Sequence, residues 1–200
     1  MTDFYDALET RDPAERERDL FAALPRQVLQ AQTATTAFAT ILDGVAPAEV
    51  TSRSALAALP VTRKSELLAL QQERRASDPF GGFAAIARGA RMPRVFASPG
   101  PIYEPEGTGR DYWRTARALF AAGFRAGELI HNSFSYHMTP AGSIMETGAH
   151  ALGCTVFAGG TGQTEQQMEA MADLGPDGYA GTPSFLRILL EKADERGTPL

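Results

Sequence analysis

Residues 128–157 read ELIHNSFSYHMTPAGSIMETGAHALGCTVF, and this stretch decides the fold. Its first five residues predict a strand, and residues 141–152 have the length and composition of a helix that Gly153 ends. The β-branched run at residues 154–157 predicts a second strand. A strand, a helix and another strand at this spacing favour a parallel βαβ unit.

The same alternation extends on both sides of this unit. Helices are predicted over residues 109–123, 164–174 and 183–196, and short strands over residues 94–97 and 179–182. Residues 98–105 are rich in Pro and Gly and predict a loop. The sequence therefore predicts an α/β fold with a mainly parallel sheet, and we expect that sheet to continue past Leu200.

The N-terminal part has helical periodicity instead. Leu20, Leu24, Val28 and Ala31 recur at spacings of three or four, and Pro25 predicts two helices or one kinked helix. The composition changes at residue 78. We therefore predict a helical N-terminal segment at residues 1–77, followed by an α/β subdomain at residues 78–200.

Composition excludes several classes of function. A chain of 200 residues with 44% hydrophobic residues can form one large domain or two small ones. The net charge of −5 argues against general nucleic-acid binding and against a polybasic membrane anchor. No run approaches the ~20 apolar residues of a membrane-spanning helix. The single cysteine, Cys154, excludes an intrachain disulfide, and we expect a cytoplasmic protein.

Four loops are candidates for a binding site, because ligands of open parallel sheets bind at the carboxyl ends of strands. These loops are residues 98–105, 132–140, 158–164 and 181–184. The second loop combines aromatic, Met and small polar residues, which suits an apolar pocket with a few orienting groups. The third is Gly-rich and leads into a helix, as in an anion cradle. Ordinary turns are the alternative interpretation.

Metal and nucleophile chemistry is not indicated. His131, His137, His150 and Cys154 fit no standard zinc spacing, so we expect no metal site. The chain contains no nucleophile elbow, no G-x-G-x-x-G motif and no P-loop of the GxxxxGK[ST] type.

Six segments occur together in an order that resembles the phenylacetate-CoA ligases. They are LPVTRKSEL (59–67), DPFGGFA (78–84), HNSFSY (131–136), LGCTV (152–156), GGTGQTE (159–165) and GTPS (181–184). The resemblance covers about residues 55–200 and implies part of the large N-terminal domain of an adenylate-forming enzyme.

This resemblance implies a two-step reaction. A small carboxylic acid, phenylacetate or a similar acid, attacks the α-phosphate of ATP with Mg²⁺, and CoA then displaces AMP from the acyl-adenylate. The family's catalytic lysine corresponds to a position after residue 200, so no catalytic residue is assigned and we expect this chain alone to be inactive. The resemblance also implies a homodimer.

Site residues are carried over one at a time from the family pattern. The substrate-binding set is Phe134, Tyr136, Thr139, Gly142, Gly160, Gln163 and Thr164. Phe134 stands where the family usually has Tyr, and Thr139 where it often has Phe, which changes the polarity and width of the pocket. The resembled phosphate loop is altered. It retains Ser98 and Gly100, but Glu104 replaces its lysine, and Pro99 and Pro101 remove backbone donors.

Three interpretations stay open at this stage. The chain is part of a ligase that binds ATP in a modified way, or it is a relative that binds an acid or acyl-CoA without adenylation. The third interpretation is a structural fragment without a separate activity.

Overall fold

The structure, a computed structural model, describes residues 4–200, which form two compact units. One unit comprises residues 6–108, and the other comprises residues 109–200 together with residues 4 and 5. The subdomain boundary at residue 78 rests on composition and stays a prediction.

Helices dominate the first unit. They are α1 (Pro13–Ala34), α2 (Thr36–Ile41), α3 (Arg53–Ala57) and α4 (Lys64–Arg74), with 3₁₀ turns at Ala7–Thr10 and Pro47–Glu49. Of the two alternatives predicted at Pro25, two separate helices is wrong, because α1 is one helix that continues through this residue. Proline removes one hydrogen bond from the helix, but Leu24 and Val28, on either side of Pro25, pack in the same apolar cluster. Leu20, assigned to the same apolar face, is exposed.

The first unit also contains an antiparallel hairpin. Strand β1 (Arg94–Ser98) pairs with β2 (Ile102–Glu106), so residues 102–105 form a strand and the predicted loop is wrong there. The prediction that this loop follows a strand of the parallel sheet is also wrong. The side-chain amide of Gln71 accepts the Tyr103 N–H at 2.8 Å and donates to the Tyr103 carbonyl at 2.9 Å. A side chain 32 residues away thus forms hydrogen bonds with the backbone of β2, and no local sequence pattern predicts them.

The second unit contains the parallel sheet that the sequence predicts. Strand β3 (Leu129–Asn132) lies between β4 (Thr155–Ala158) and β5 (Gly178–Ala180), and both pairings are parallel. The helices of this unit are α5 (Ala116–Ala121), α6 (Ala141–Leu152), α7 (Thr164–Leu174) and α8 (Pro183–Arg196). The α/β class is confirmed. None of the described helices is long and apolar enough to cross a membrane.

Helix α5 begins later than the helix predicted over residues 109–123. Asp111 has a φ of 52°, and its carboxylate accepts the N–H groups of Thr115 and Ala116 at 2.8 and 3.2 Å. The Asp111 carboxylate thus satisfies N–H groups at the start of α5, and the helix begins at Ala116. Tyr112, which precedes the helix, is exposed.

Helices α5 and α6 approach each other most closely at Gly148. A Cβ built there would lie 2.9 Å from the backbone nitrogen of Ala116 and would overlap the Thr115 hydroxyl. We expect Gly148→Ala to lower the free energy of unfolding by about 1–3 kcal/mol, because the helices must separate. Urea unfolding followed by circular dichroism measures this. Gly109→Ala is the matched control, because its Cβ would meet only Tyr112 at 4.0 Å. Equal stability of the two variants would contradict the close packing.

Cys154 belongs to the core beneath β3 and α6, and its thiol donates to the Arg125 carbonyl at 3.1 Å. Burial, followed by the negative charges of Glu128 and Asp177, raises the pKa of this thiol. In the unfolded chain the thiol titrates at about pH 8.5. The unfolded chain therefore loses its proton first, and the free energy of unfolding should fall as pH rises above that value. Chemical unfolding between pH 7 and pH 10 measures this slope. Cys154→Ala should lack the thiol's contribution, and an unchanged slope in this variant would contradict the assignment.

Candidate functional site

Two loops at the carboxyl edge of the sheet line an open cavity of about 460 Å³. One loop follows β3 and the other follows β4, as the parallel arrangement requires. The cavity is lined by Ser135, Tyr136, His137, Ala158, Gly159, Gly160 and Thr161. Two of the four predicted loops therefore supply its lining. Residues 181 and 182 connect β5 to α8, and Thr182 is the N-cap of that helix, which begins at Pro183.

Tyr136 forms the aromatic wall of the cavity, and a hydrogen bond from Asn132 and close packing on Gly142 hold its ring in place. The buried Asn132 side chain, at the end of β3, donates to the Tyr136 hydroxyl at 2.8 Å and to the Gly142 carbonyl at 3.0 Å. A Cβ at Gly142 would lie 2.8 Å from the tyrosine ring. Gly142 thus acts by leaving space for the ring.

The seven residues predicted to bind substrate occupy different places relative to this cavity. Tyr136 and Gly160 line it. Phe134 and Thr139 are half-buried in the loop after β3, and Gln163 and Thr164 stand where the second loop enters α7. Their roles toward a substrate stay predictions.

The loop after β4 makes a tight turn before α7. Gly160 and Gly162 have φ values of 68° and 73°, which explains why glycine occupies them. Gln163 has a φ of 52° and holds the N-cap position, and Thr164 is the first helical residue. Thr164 therefore does not cap this helix, and the Gln163 side chain makes no capping hydrogen bond.

Sequence reasoning missed Gln167, which lies beneath this loop. Its side-chain nitrogen donates to the carbonyls of Gly160 at 2.9 Å and Gly162 at 2.7 Å. Its oxygen bonds to Nε2 of His131 at 2.7 Å. Helical spacing gave no signal, because adjacent helix residues lie about 100° apart and the buried Met168 therefore does not predict that Gln167 is buried. A buried amide requires partners.

His131 lies at the centre of the sheet, 1% exposed. Its ring packs against Phe157 of β4 and Tyr179 of β5, with ring centroids 5.0 and 6.1 Å away. Among the described residues, no group of His, Cys, Asp and Glu side chains could hold a metal ion.

The residues predicted for a phosphate loop lie in the hairpin of the first unit. Ser98 ends β1, Glu104 lies within β2 opposite Phe96, and only Gly100 is in the connecting turn. The three-residue connection offers one backbone N–H, since its other two residues are prolines. The Ser98 hydroxyl donates to the Glu104 carboxylate at 3.2 Å. A triphosphate needs several donors and cations, so this hairpin does not fit one.

The fold is that of part of an acyl-CoA ligase. A solved 2-hydroxyisobutyryl-CoA ligase, in the postadenylation state with R3-HIB-AMP, superposes with a TM-score of 0.80 and 23% identity over 94% of this chain and 41% of its own. The same ligase with 2-HIB-AMP and CoA in the thioesterification state gives a TM-score of 0.79.

By sequence, the chain is a relative of the phenylacetate-CoA ligases and corresponds to their N-terminal portion. It is 35% identical to the enzyme of Aromatoleum evansii over 161 residues, which are 77% of this chain and 34% of that protein. The Thermus thermophilus enzyme is 33% identical over 77% of this chain and 34% of its own length. The chain thus spans about a third of these relatives. No family model matches it.

The packing of Gly142 on Tyr136 predicts how the cavity wall responds to substitution. In Gly142→Ala the new methyl group must push the ring away, which breaks its bond to Asn132. Tyr136→Phe removes the bond to Asn132 and leaves the ring in place, so we expect a loss of about 1 kcal/mol of unfolding free energy for Tyr136→Phe and a larger loss for Gly142→Ala. Chemical unfolding ranks the variants, and ring proton shifts report the displacement. A Tyr136 ring unmoved in Gly142→Ala would contradict the arrangement.

Proposed function

We propose that this chain is the acid-binding portion of an ATP-dependent carboxylic acid–CoA ligase that acts through an acyl-adenylate. The single observation that carries this proposal is the 460 Å³ cavity between the loops after β3 and β4, with Tyr136 as its aromatic wall. Its size is in the range of small-ligand sites. It is formed by the segments HNSFSY and GGTGQTE, which also carry the sequence resemblance.

The cavity offers separate surfaces for the two ends of an organic acid. The Tyr136 ring suits an aromatic or apolar body, and Gly159 and Gly160 let a ligand approach the backbone closely. The Gly160 and Gly162 carbonyls point at Gln167, and in a trans peptide the next N–H points the opposite way. The N–H groups of Thr161 and Gln163 therefore face away from Gln167. With the positive end of the α7 dipole, they supply donors for a carboxylate or a phosphate ester.

The proposed substrate-binding set keeps the residues expected from the sequence. It comprises Phe134, Tyr136, Thr139, Gly142, Gly160, Gln163 and Thr164. Of these, Tyr136 and Gly160 would contact the acid directly, and Gly142 would act through Tyr136.

ATP, Mg²⁺ and CoA are proposed as the co-substrates and metal of the complete reaction. The relatives are named as CoA ligases, and the solved neighbours hold an acyl-AMP and CoA. Because the hairpin of this chain does not fit a triphosphate, the groups that hold it are assigned to no residue of that hairpin. A homodimer in a reducing cytoplasm completes the proposal, and the buried unpaired thiol of Cys154 is compatible with that compartment.

The hairpin favours a second candidate function. A relative that binds an acid or acyl-CoA without adenylating it needs the cavity and does not need a phosphate loop. The short Ser98-to-Ile102 connection and the Glu104 carboxylate support this alternative.

Titration of the 200-residue chain with phenylacetate, followed by NMR or calorimetry, tests acid binding. We expect saturable binding that Tyr136→Ala weakens about tenfold, through loss of the aromatic wall. Tyr112→Ala is the matched control, because this tyrosine is equally exposed but lies outside the cavity lining.

Acid-dependent ATP–pyrophosphate exchange by the natural gene product separates the two candidates. Exchange supports the ligase, and acid binding without exchange supports the non-adenylating relative. Absence of acid binding by the chain would contradict both and favour a structural fragment.

A further inference from the structure

We propose that Gln167 and His131 are positioning residues of the acid site, which hold the loop at residues 159–162 in the form that lines the cavity. This inference rests on the proposed function, because the acid is the ligand whose affinity they would set. Neither side chain lines the cavity.

The orientation of the Gln167 amide is fixed by its surroundings. One end of the amide faces two backbone carbonyls, those of Gly160 at 2.9 Å and Gly162 at 2.7 Å. Carbonyl oxygens only accept hydrogen bonds, so the NH₂ group must lie at this end. The Gln167 oxygen therefore faces His131, and the whole side chain is 3% exposed.

This orientation determines the protonation of His131. The Gln167 oxygen can only accept, so Nε2 of His131, at 2.7 Å, must carry a proton. Phe157 and Tyr179 on the flanking strands pack against the ring and restrict its rotation. His131 thus fixes the amide of Gln167, and Gln167 fixes the loop.

The loop rests directly on this pair. A Cβ at Gly159 would lie 2.6 Å from the Gln167 oxygen and 3.0 Å from Nε2 of His131. The Gly160 N–H, in turn, donates to the carbonyl of Asn132 at 3.1 Å, which ties the loop to the end of β3. Gln167 donates to the carbonyls of Gly160 and Gly162 and so fixes the orientation of these two peptide groups. The orientation of the peptide groups determines which way the N–H groups of Thr161 and Gln163 point.

Two substitutions of Gln167 test the inference, with phenylacetate as the probe. Gln167→Leu removes both donors and the acceptor at similar volume, and Gln167→Glu keeps the acceptor but sets a carboxylate against two carbonyls. We expect each to weaken phenylacetate binding about tenfold or more, because the loop loses two hydrogen bonds.

Two controls separate positioning from a loss of stability. Gln166→Leu makes the same change at the neighbouring exposed residue and should leave the dissociation constant within twofold. Met168→Ala removes a buried core side chain from the same helix without touching the loop bonds. It should lower stability and leave the affinity of the folded protein within twofold.

The ¹⁵N shifts of His131 give a readout that needs no ligand. We expect a proton on Nε2 in the wild-type chain. A proton on Nδ1 alone would overturn the inference, and so would Gln167→Leu binding phenylacetate as tightly as the wild type. Equal weakening by Met168→Ala and Gln167→Leu would overturn it too.

The inference can still be tested if one of the variants does not fold. If Gln167→Leu does not fold, the phenylacetate affinity of Gln167→Glu and the ¹⁵N shifts of His131 in the wild-type chain test the inference instead. A wild-type chain that binds no phenylacetate overturns the proposed function and, with it, the role assigned to Gln167. Normal binding that is insensitive to Gln167 overturns this inference alone.

Discussion

Strand β3 is paired in parallel on both edges, and this pairing fixes three consecutive residues that do three different things. Ile130 enters the apolar core, His131 packs against rings on both neighbouring strands, and Asn132 holds the wall of the cavity. Each of the three is about 1% exposed. A shift of one residue in register would turn the core side chain toward the other face of the sheet. The cavity therefore depends on the same pairing that forms the sheet.

The second unit was largely predictable from sequence because its boundaries are set by local chemistry. Gly153 and Gly197 adopt left-handed conformations just after α6 and α8, and Pro183 occupies the first turn of α8. Those signals are visible without tertiary information. The hairpin and the start of α5 were not predictable from local sequence. The Tyr103 backbone is hydrogen-bonded by the Gln71 side chain, 32 residues away, and the start of α5 is set by N–H groups that bind the Asp111 carboxylate.

The same division applies to the candidate site. Tyr136 and Gly160 could be placed in the cavity lining, since aromatic and Gly-rich loops follow successive parallel strands. Gln167 could not be found that way. Its partner His131 is 36 residues earlier, and the bond between them forms only when α7 packs on the sheet. A buried polar pair of this kind leaves no periodic trace, because each member resembles an ordinary residue of its own element.

Packing also limits what the shared motifs say about chemistry. Asn132, Gly142 and Gly159 cannot change without disturbing Tyr136 or the His131–Gln167 bond, so folding alone explains why they occur. A Cβ at Gly100 would first meet Ile102 of the same hairpin, at 3.2 Å, and it is in this turn that the sequence departs from the resembled phosphate loop. A chain that had lost adenylation would keep the first group for stability and would be free to change the second. The lining side chains of His137 and Thr161 are exposed, whereas the Ser135 hydroxyl also accepts the His137 N–H at 3.1 Å and so shapes its own loop. Their contacts with a bound acid, rather than the motifs behind them, distinguish a working site from an inherited scaffold.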